Sequence, residues 1–412
     1  MRSFKRPHYA WLICFAGALA LFTALGLGVN VLSFFIQDIK TQEGFSEAQG
    51  SLLLTIRNLS SLVSMLVVNQ LCRRFGARLI LLAGNVSVFV CYVGFSFADS
   101  FPAYCCYTAL MGLGYTFGGS VPVAFIFSKW FESRRGFAMG TAAATSGLAL
   151  LVMPPILTWM IEVLSLDTTF LLHAGLCLFL SVTSFLLLRN TPEEISKTPY
   201  CGAEAKKNST ASRQQTEPAH PSRLQNTLFL LVAVLFGGPI GVGYTHIKQL
   251  LYAEHYAPML VASVISFMGL VLMVAKSLTA DLYDRIGGWK GNFIVCGSAA
   301  VGLALLLLSP TGNVPVLFAA IAFYALGLAS GSISSYQWSA DLYGTAGYAD
   351  GVRSFNMAYT LGSLAFGPVP GVLADLHPQG SYVPAFALFL GIFLVAFTLL
   401  QVLYRRLGLH KR

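Results

Sequence analysis

Residues 269–288 read GLVLMVAKSLTADLYDRIGG and place a lysine, Lys276, inside an otherwise apolar run. A charge at membrane depth costs from about 2.5 kcal/mol upward, so it calls for a partner or a ligand. A second cation, Arg57, lies in the apolar stretch 48–71. The carboxylates do not match these two in depth. Asp38, Glu43, Glu47, Asp99, Glu162, Asp167, Glu254 and Asp375 fall toward one set of segment ends, and Asp281, Asp284, Asp341 and Asp350 toward the other. Two deep cations without deep carboxylates suit the binding of an anion, with the substrate as counter-ion. The competing reading has Lys276 extending its head to the membrane boundary or pairing with Asp281 or Asp284, and Arg57 bonding backbone carbonyls.

The elements that must position these residues are membrane helices. Hydrophobic residues make up 56% of the chain and charged ones only 10%, with a mean hydropathy of +0.68, whereas soluble domains carry about 25% charged residues. Runs long enough to cross a bilayer recur twelve times: 10–36, 48–71, 79–98, 101–127, 136–161, 168–188, 226–251, 259–280, 291–309, 315–338, 352–373 and 383–403. The first follows Arg2, Lys5 and Arg6 but is long and lacks a small-residue cleavage site, so it is expected to be retained as a helix. With both termini in the cytoplasm, 22 of the 26 Lys and Arg residues fall inside, and only Lys40 and Lys248 fall outside. The expectation is an integral protein of the cell membrane. Its net charge of +9 is explained by topology and needs no nucleic-acid partner.

Residues 189–225 are rich in Pro, Glu, Lys, Ser and Thr and are predicted to be a flexible cytoplasmic linker. They separate a six-helix unit at 1–188 from another at 226–404, with a tail at 405–412. The two units match each other at a nearly constant offset. LCRRFG at 71–76 corresponds to LYDRIG at 282–287, Arg135-Gly136 to Asp350-Gly351, and Gly147 before Pro154 to Gly362 before Pro368. The fold class expected is an all-α membrane protein of twelve transmembrane helices in two pseudo-symmetric six-helix bundles.

The loop ADLYDRIGGWK and its degenerate copy NQLCRRFGAR resemble the Major Facilitator Superfamily over essentially the full chain. Within it, FSKWFESRRGFAMG entering the fifth helix, followed by GLALLVMPPI, is similar to the monocarboxylate transporter and oxalate:formate antiporter branch. The resemblance implies that the cation in Met273-Val274-Ala275-Lys276 binds the substrate carboxylate, here as a lysine without arginine's bidentate fork. The chain departs from the branch in two places. Val29 and Asn30 stand where monocarboxylate transporters carry a lysine in the first helix. No lysine lies between Lys290 and Lys411, so the eleventh helix lacks the second cation of oxalate carriers, and Arg353 sits only at its entrance. These absences leave a small anion of low charge as the expected substrate.

The resemblance also implies a central cavity bordered by Asn30 and Ser33, Tyr115 and Ser120, Tyr244 and His246, Tyr336 and Gln337, and Asn356 and Tyr359. Each of these residues also suits ordinary interhelical hydrogen bonding, and His246 suits either packing or a proton relay. An inner gate is expected from Arg73 with Asp350 and from Asp284 with Arg134 or Arg135. Gly and Pro at 112–119, 154–155, 327–331 and 367–371 mark close helix contacts and hinges. The eight cysteines show no metal-ligand spacing, there is no phosphate-cradling GxxxxGK[ST] loop and no HExxH, and neither enzyme, metal nor cofactor is expected. The function expected is secondary transport of a small carboxylate by alternating access, with a coupled proton or an exchanged anion. The alternatives are a carrier for a neutral or cationic metabolite or drug, and a non-transporting anion receptor.

Overall fold

The computed structural model describes residues 8–131, 135–200 and 222–409; at 135–137, 277, 280, 281, 284, 332, 333, 336 and 344–350 it describes the backbone alone. Eleven helices are long and apolar enough to span a bilayer: α1 Tyr9–Glu43, α2 Glu47–Phe75, α3 Ala77–Phe95, α4 Phe101–Trp130, α5 Ala138–Val163, α6 Leu166–Leu187, α7 Arg223–Ala253, α8 Pro258–Lys276, α9 Arg285–Leu306, α11 Gly351–Leu376 and α12 Val383–Arg406. A shorter apolar helix, α10 at Val314–Leu328, completes twelve, and the chain continues beyond it in the helical segment Ser330–Phe366. Twelve crossings bring the start of α1 and the end of α12 to one face, here called the terminal face; the other is the far face.

Local chemistry sets the boundaries. Ser46 and Gln49 form a reciprocal capping box at the start of α2, as Ser222 and Gln225 do at α7. The α2–α3 turn rests on Gly76 (φ 85°) and the kink just inside the start of α9 on Gly287 (φ 79°), a region in which only glycine is unstrained. These two glycines end the matched LCRRFG and LYDRIG motifs, so the sequence repeat is also a repeat of backbone conformation. Outward faces carry Leu59, Val63, Leu66, Phe179, Leu186 and Val395, all exposed and suited to lipid. Between the halves, α5 packs on α8 and α2 on α11. The seams are narrow: a Cβ on Gly269 would lie 2.5 Å from the Leu151 nitrogen, and one on Gly371 2.2 Å from the Glu47 carbonyl oxygen.

Both repeats interrupt their first helix in the same way. The α-helical hydrogen bonding of α1 gives way to a π segment at Phe22–Asn30, and that of α7 to one at Gly237–Val242. Wider turns loosen the carbonyl ladder, and such segments recur at functional sites. Hydroxyls from other helices occupy the loosened carbonyls: Tyr92 donates to Leu27 at 2.7 Å and Tyr324 to Pro239 at 2.5 Å. Removing the first hydroxyl in Tyr92→Phe is expected to destabilise the protein by about 1–2 kcal/mol, because a buried carbonyl loses its donor. Thermal unfolding in detergent checks this, and an unchanged midpoint would show that the hydroxyl does not hold the segment.

The expected linker is described only in part. Residues 189–200 run along the N-terminal half, where the Tyr200 amide donates to the Trp130 carbonyl at 2.8 Å; residues 201–221 lie outside the described residues.

Candidate functional site

The two deep cations reach the same short stretch of α1. Arg57, 4% exposed, donates to the Val29 carbonyl in a long 3.4 Å contact and to Asn58 Oδ1 at 3.0 Å. Lys276 Nζ donates to Ser146 Oγ on α5 at 3.2 Å, and the Ser146 carbonyl accepts from Asn30 Nδ2 at 2.9 Å. Lys276, Ser146 and Asn30 thus form one string linking α8, α5 and the end of the π segment in α1. Among the described residues, neither cation is paired with a carboxylate.

Phenols from several helices gather around Arg57. Tyr244 on α7, Tyr115 on α4 and Tyr92 on α3 are close enough to interact with it electrostatically, and Tyr359 on α11 is similarly close to Tyr244 and Tyr115. The Tyr359 hydroxyl lies against two glycines; a Cβ on Gly331 would be 2.8 Å from it and one on Gly241 3.0 Å. Beside this cluster is a narrow cleft bordered by Asn30, Ser33, Tyr244, Thr245 and Lys248. Its cavity volume of about 20 Å³ has room for about one water.

Other expected site residues lie elsewhere. Gln337 is held by Asp341, to which it donates at 2.9 Å, and Asp341 also accepts from Tyr404 at 2.8 Å, all within the C-terminal half. Ser120 is exposed, at the start of the second part of α4 beyond the break at Gly118-Gly119. Asn356 is half-buried, and its carbonyl accepts from Thr360. His246 is fully buried, with Nε2 2.9 Å from Ser51 Oγ on α2 and Nδ1 3.0 Å from the Val242 carbonyl, which makes it a hydrogen-bonded joint between the halves. Of the expected gate, Arg73 is exposed at the end of α2; Arg134 and the side chains of Arg135, Asp284 and Asp350 lie outside the described residues, as does the side chain of Tyr336.

Sequence reasoning missed a polar layer at the far face. Lys40 and Lys248 were expected outside the membrane, yet each is 3% exposed. The reason is length: at 35 residues α1 extends about 52 Å, well beyond a hydrocarbon core of about 30 Å, and its end remains packed between the halves. Lys248 pairs with Asp38 across the halves at 2.5 Å. Lys40 pairs with Glu47, and the Tyr382 hydroxyl of the other half donates to the same carboxylate. Asp375 at the end of α11 accepts from the Glu47 and Ala48 amides at 3.0 and 2.9 Å, placing a negative charge on the N-terminus of α2. Ser146 was missed because a serine among small residues carries no signal of its own. Lys248 had one, since the offset of the matched motifs pairs it with Ser33.

The sequence profile described as Major Facilitator Superfamily matches residues 17–368. The chain belongs to that superfamily. Its similarities within the superfamily are distant. It is 25% identical over 333 residues to monocarboxylate transporter 13 of Bos taurus, covering 80% of this chain and 74% of the relative. It is 26% identical over 347 residues to the oxalate:formate antiporter of Oxalobacter formigenes, covering 81% and 77%. Among solved structures, a peptide transporter superposes with a TM-score of 0.74 at 15% identity, covering 99% of this chain and 96% of that one. A D-xylose-proton symporter gives 0.73 at 13%, covering 95% and 97%. At those identities the superpositions speak for the fold alone, twelve helices in two pseudo-symmetric halves. As a superfamily member the protein is an integral membrane transporter and not an enzyme.

Proposed function

We propose that this superfamily member is a secondary carrier for a small organic anion, a monocarboxylate or related carboxylate, working by alternating access in the cell membrane with both termini cytoplasmic. The observation that carries the reading is that Arg57, bonded to the Val29 carbonyl, and Lys276, linked through Ser146 to Asn30, have no carboxylate partner among the described residues. A buried charge is paired or neutralised, and a substrate carboxylate meets that requirement. Lys276 supplies the mobile point charge, Arg57 a fixed positive field, and Asn30, Tyr115, Tyr244 and Tyr359 donors that orient the acid. The names of the relatives, monocarboxylate transporter and oxalate:formate antiporter, agree with this class. In this reading the far face is extracellular and the joined ends of α1, α2, α7 and α11 close it. Arg73 with Asp350 and Asp284 with Arg134 or Arg135 close the cytoplasmic face in the opposite state. Exchange of anions or coupling to a proton drives the cycle.

The test is a thermal-shift screen of the purified protein against formate, acetate, lactate, pyruvate, oxalate and larger acids, with neutral analogues as controls. A ligand at a hundred times its Kd stabilises the native state by about 2.7 kcal/mol. One acid is expected to stabilise the wild type, and Lys276→Gln to weaken that binding by about 2 kcal/mol, roughly thirtyfold, as befits loss of a charged hydrogen bond. A second reading, a neutral or cationic substrate with Lys276 structural, draws on the Lys276–Ser146 hydrogen bond. It predicts that no acid shifts the wild type, and that outcome would sink the anion proposal.

A further inference from the structure

The cleft lies where the two π segments end. Gly26 and Gly28 recur 215 positions later as Gly241 and Gly243, and the same step takes Asn30 to Thr245 and Ser33 to Lys248. All four of these last residues line the cleft, two pseudo-symmetry pairs that differ in one charge. Lys248 is that charge. Its ammonium lies 3.6 Å from the centroid of the Phe34 ring and 2.5 Å from Asp38 Oδ2, with the side chain 2% exposed. Asp38 stands five residues beyond Ser33, about 7.5 Å farther along α1. A lysine rooted at the level of the cleft therefore reaches outward to its carboxylate, and its flexible four-carbon stem allows the same ammonium to turn inward.

The pair joins α1 of one half to α7 of the other, so opening the far face parts it. Asp38, 15% exposed, then gains water. Lys248 is left beside the Phe34 ring in a cleft whose lining holds no carboxylate, where an unpaired charge is costly.

We propose that Lys248 is a second anion-binding residue that takes the substrate carboxylate at the far-face end of the cleft and exchanges it for Asp38 as that face closes. Asp38 acts as a tethered competitor: by recapturing Lys248 it releases the anion toward Arg57 and Lys276. The proposal rests on the anionic-substrate reading above and assigns a function to the charge that distinguishes Lys248 from its repeat mate Ser33.

The test compares binding of formate, lactate and oxalate, by calorimetry and thermal shift, across Asp38→Asn, Lys248→Gln and the double variant. Removing the competitor in Asp38→Asn is expected to tighten binding about tenfold, and removing the cation in Lys248→Gln to weaken it about tenfold. The double variant, which leaves no orphaned charge, is expected to follow Lys248→Gln. A latch that never touches substrate predicts instead that all three variants shift affinity in one direction, because each loosens the same joint. That result, in a protein whose acid binding is lost in Lys276→Gln, overturns the role of Lys248 and leaves the anion carrier standing. A wild type that binds none of the acids overturns both. If Lys248→Gln does not fold, the comparison of Asp38→Asn with the double variant carries the same test of sign.

Discussion

Glu47→Gln is expected to shift the carrier about a hundredfold toward the state with an open far face. Glu47 pairs with Lys40, which is 3% exposed, and accepts from the Tyr382 hydroxyl of the other half. Removing one partner of a buried pair costs about 3–5 kcal/mol, because the remaining charge stays dry and unpaired. The Glu47 side chain keeps 29% exposure, so the low end of that range, about 3 kcal/mol, applies here. The penalty falls on the closed state, since Lys40 regains water once α2 parts from α11 and α12. Burial, and then Glu47, raise the Tyr382 phenol above its usual range, so it stays a donor throughout the working pH range and does not supply a replacement charge. Labelling of cysteines introduced along the far-face ends of α2 and α11 reads the shift. Unchanged labelling would mean that the Lys40–Glu47–Tyr382 contact does not hold the face shut.

Gly269→Leu is expected to reduce transport by about a hundredfold or more through sterics alone. On α8 a Cβ at this position would lie 2.5 Å from the Leu151 nitrogen and 2.6 Å from the Leu150 carbonyl carbon of α5, and neither backbone atom can rotate away. The opposing Gly147 is tight but less so, its Cβ position lying 3.1 Å from the Gly269 carbonyl oxygen. Overpacking of this kind costs about 1–3 kcal/mol or more where neighbours cannot yield. Here it separates the halves near the Lys276–Ser146 hydrogen bond. Counterflow of the acid identified in the screen, measured in proteoliposomes with the same far-face labels, checks it. Transport within twofold of wild type would show that α5 and α8 do not close on this seam.

These two predictions differ in how far the sequence foreshadowed them. Gly147 was legible beforehand, since it matched Gly362 in the repeat, and Gly269 opened the apolar run that contains Lys276. The far-face layer was not. Lys40 and Lys248 read as lysines on the outer side of the membrane because hydropathy sums along the chain, whereas burial depends on which helix ends remain packed together. The same gap separates Lys276 from its partner. That no carboxylate matched it in depth could be read from one dimension, but that Ser146 would meet it, and Asn30 would meet Ser146, required α1, α5 and α8 in place. Gln337 shows the opposite failure: its placement in the apolar run 315–338 suggested the cavity, while the structure holds it to Asp341 beside Tyr404.

The sequence by itself determined a polytopic membrane protein of twelve helices in two related halves, with superfamily loops at Gly76 and Gly287 and two cations at depth. Those properties follow from composition, from hydrophobic length and from backbone conformations that only glycine adopts, all of which are local. Tertiary structure alone decided the π segments, the tyrosine cluster around Arg57 and the pairing of Asp38 with Lys248. Each depends on hydrogen bonds and charges supplied by another helix, and the depth at which two helices meet is set by packing across the whole bundle, which no single segment encodes.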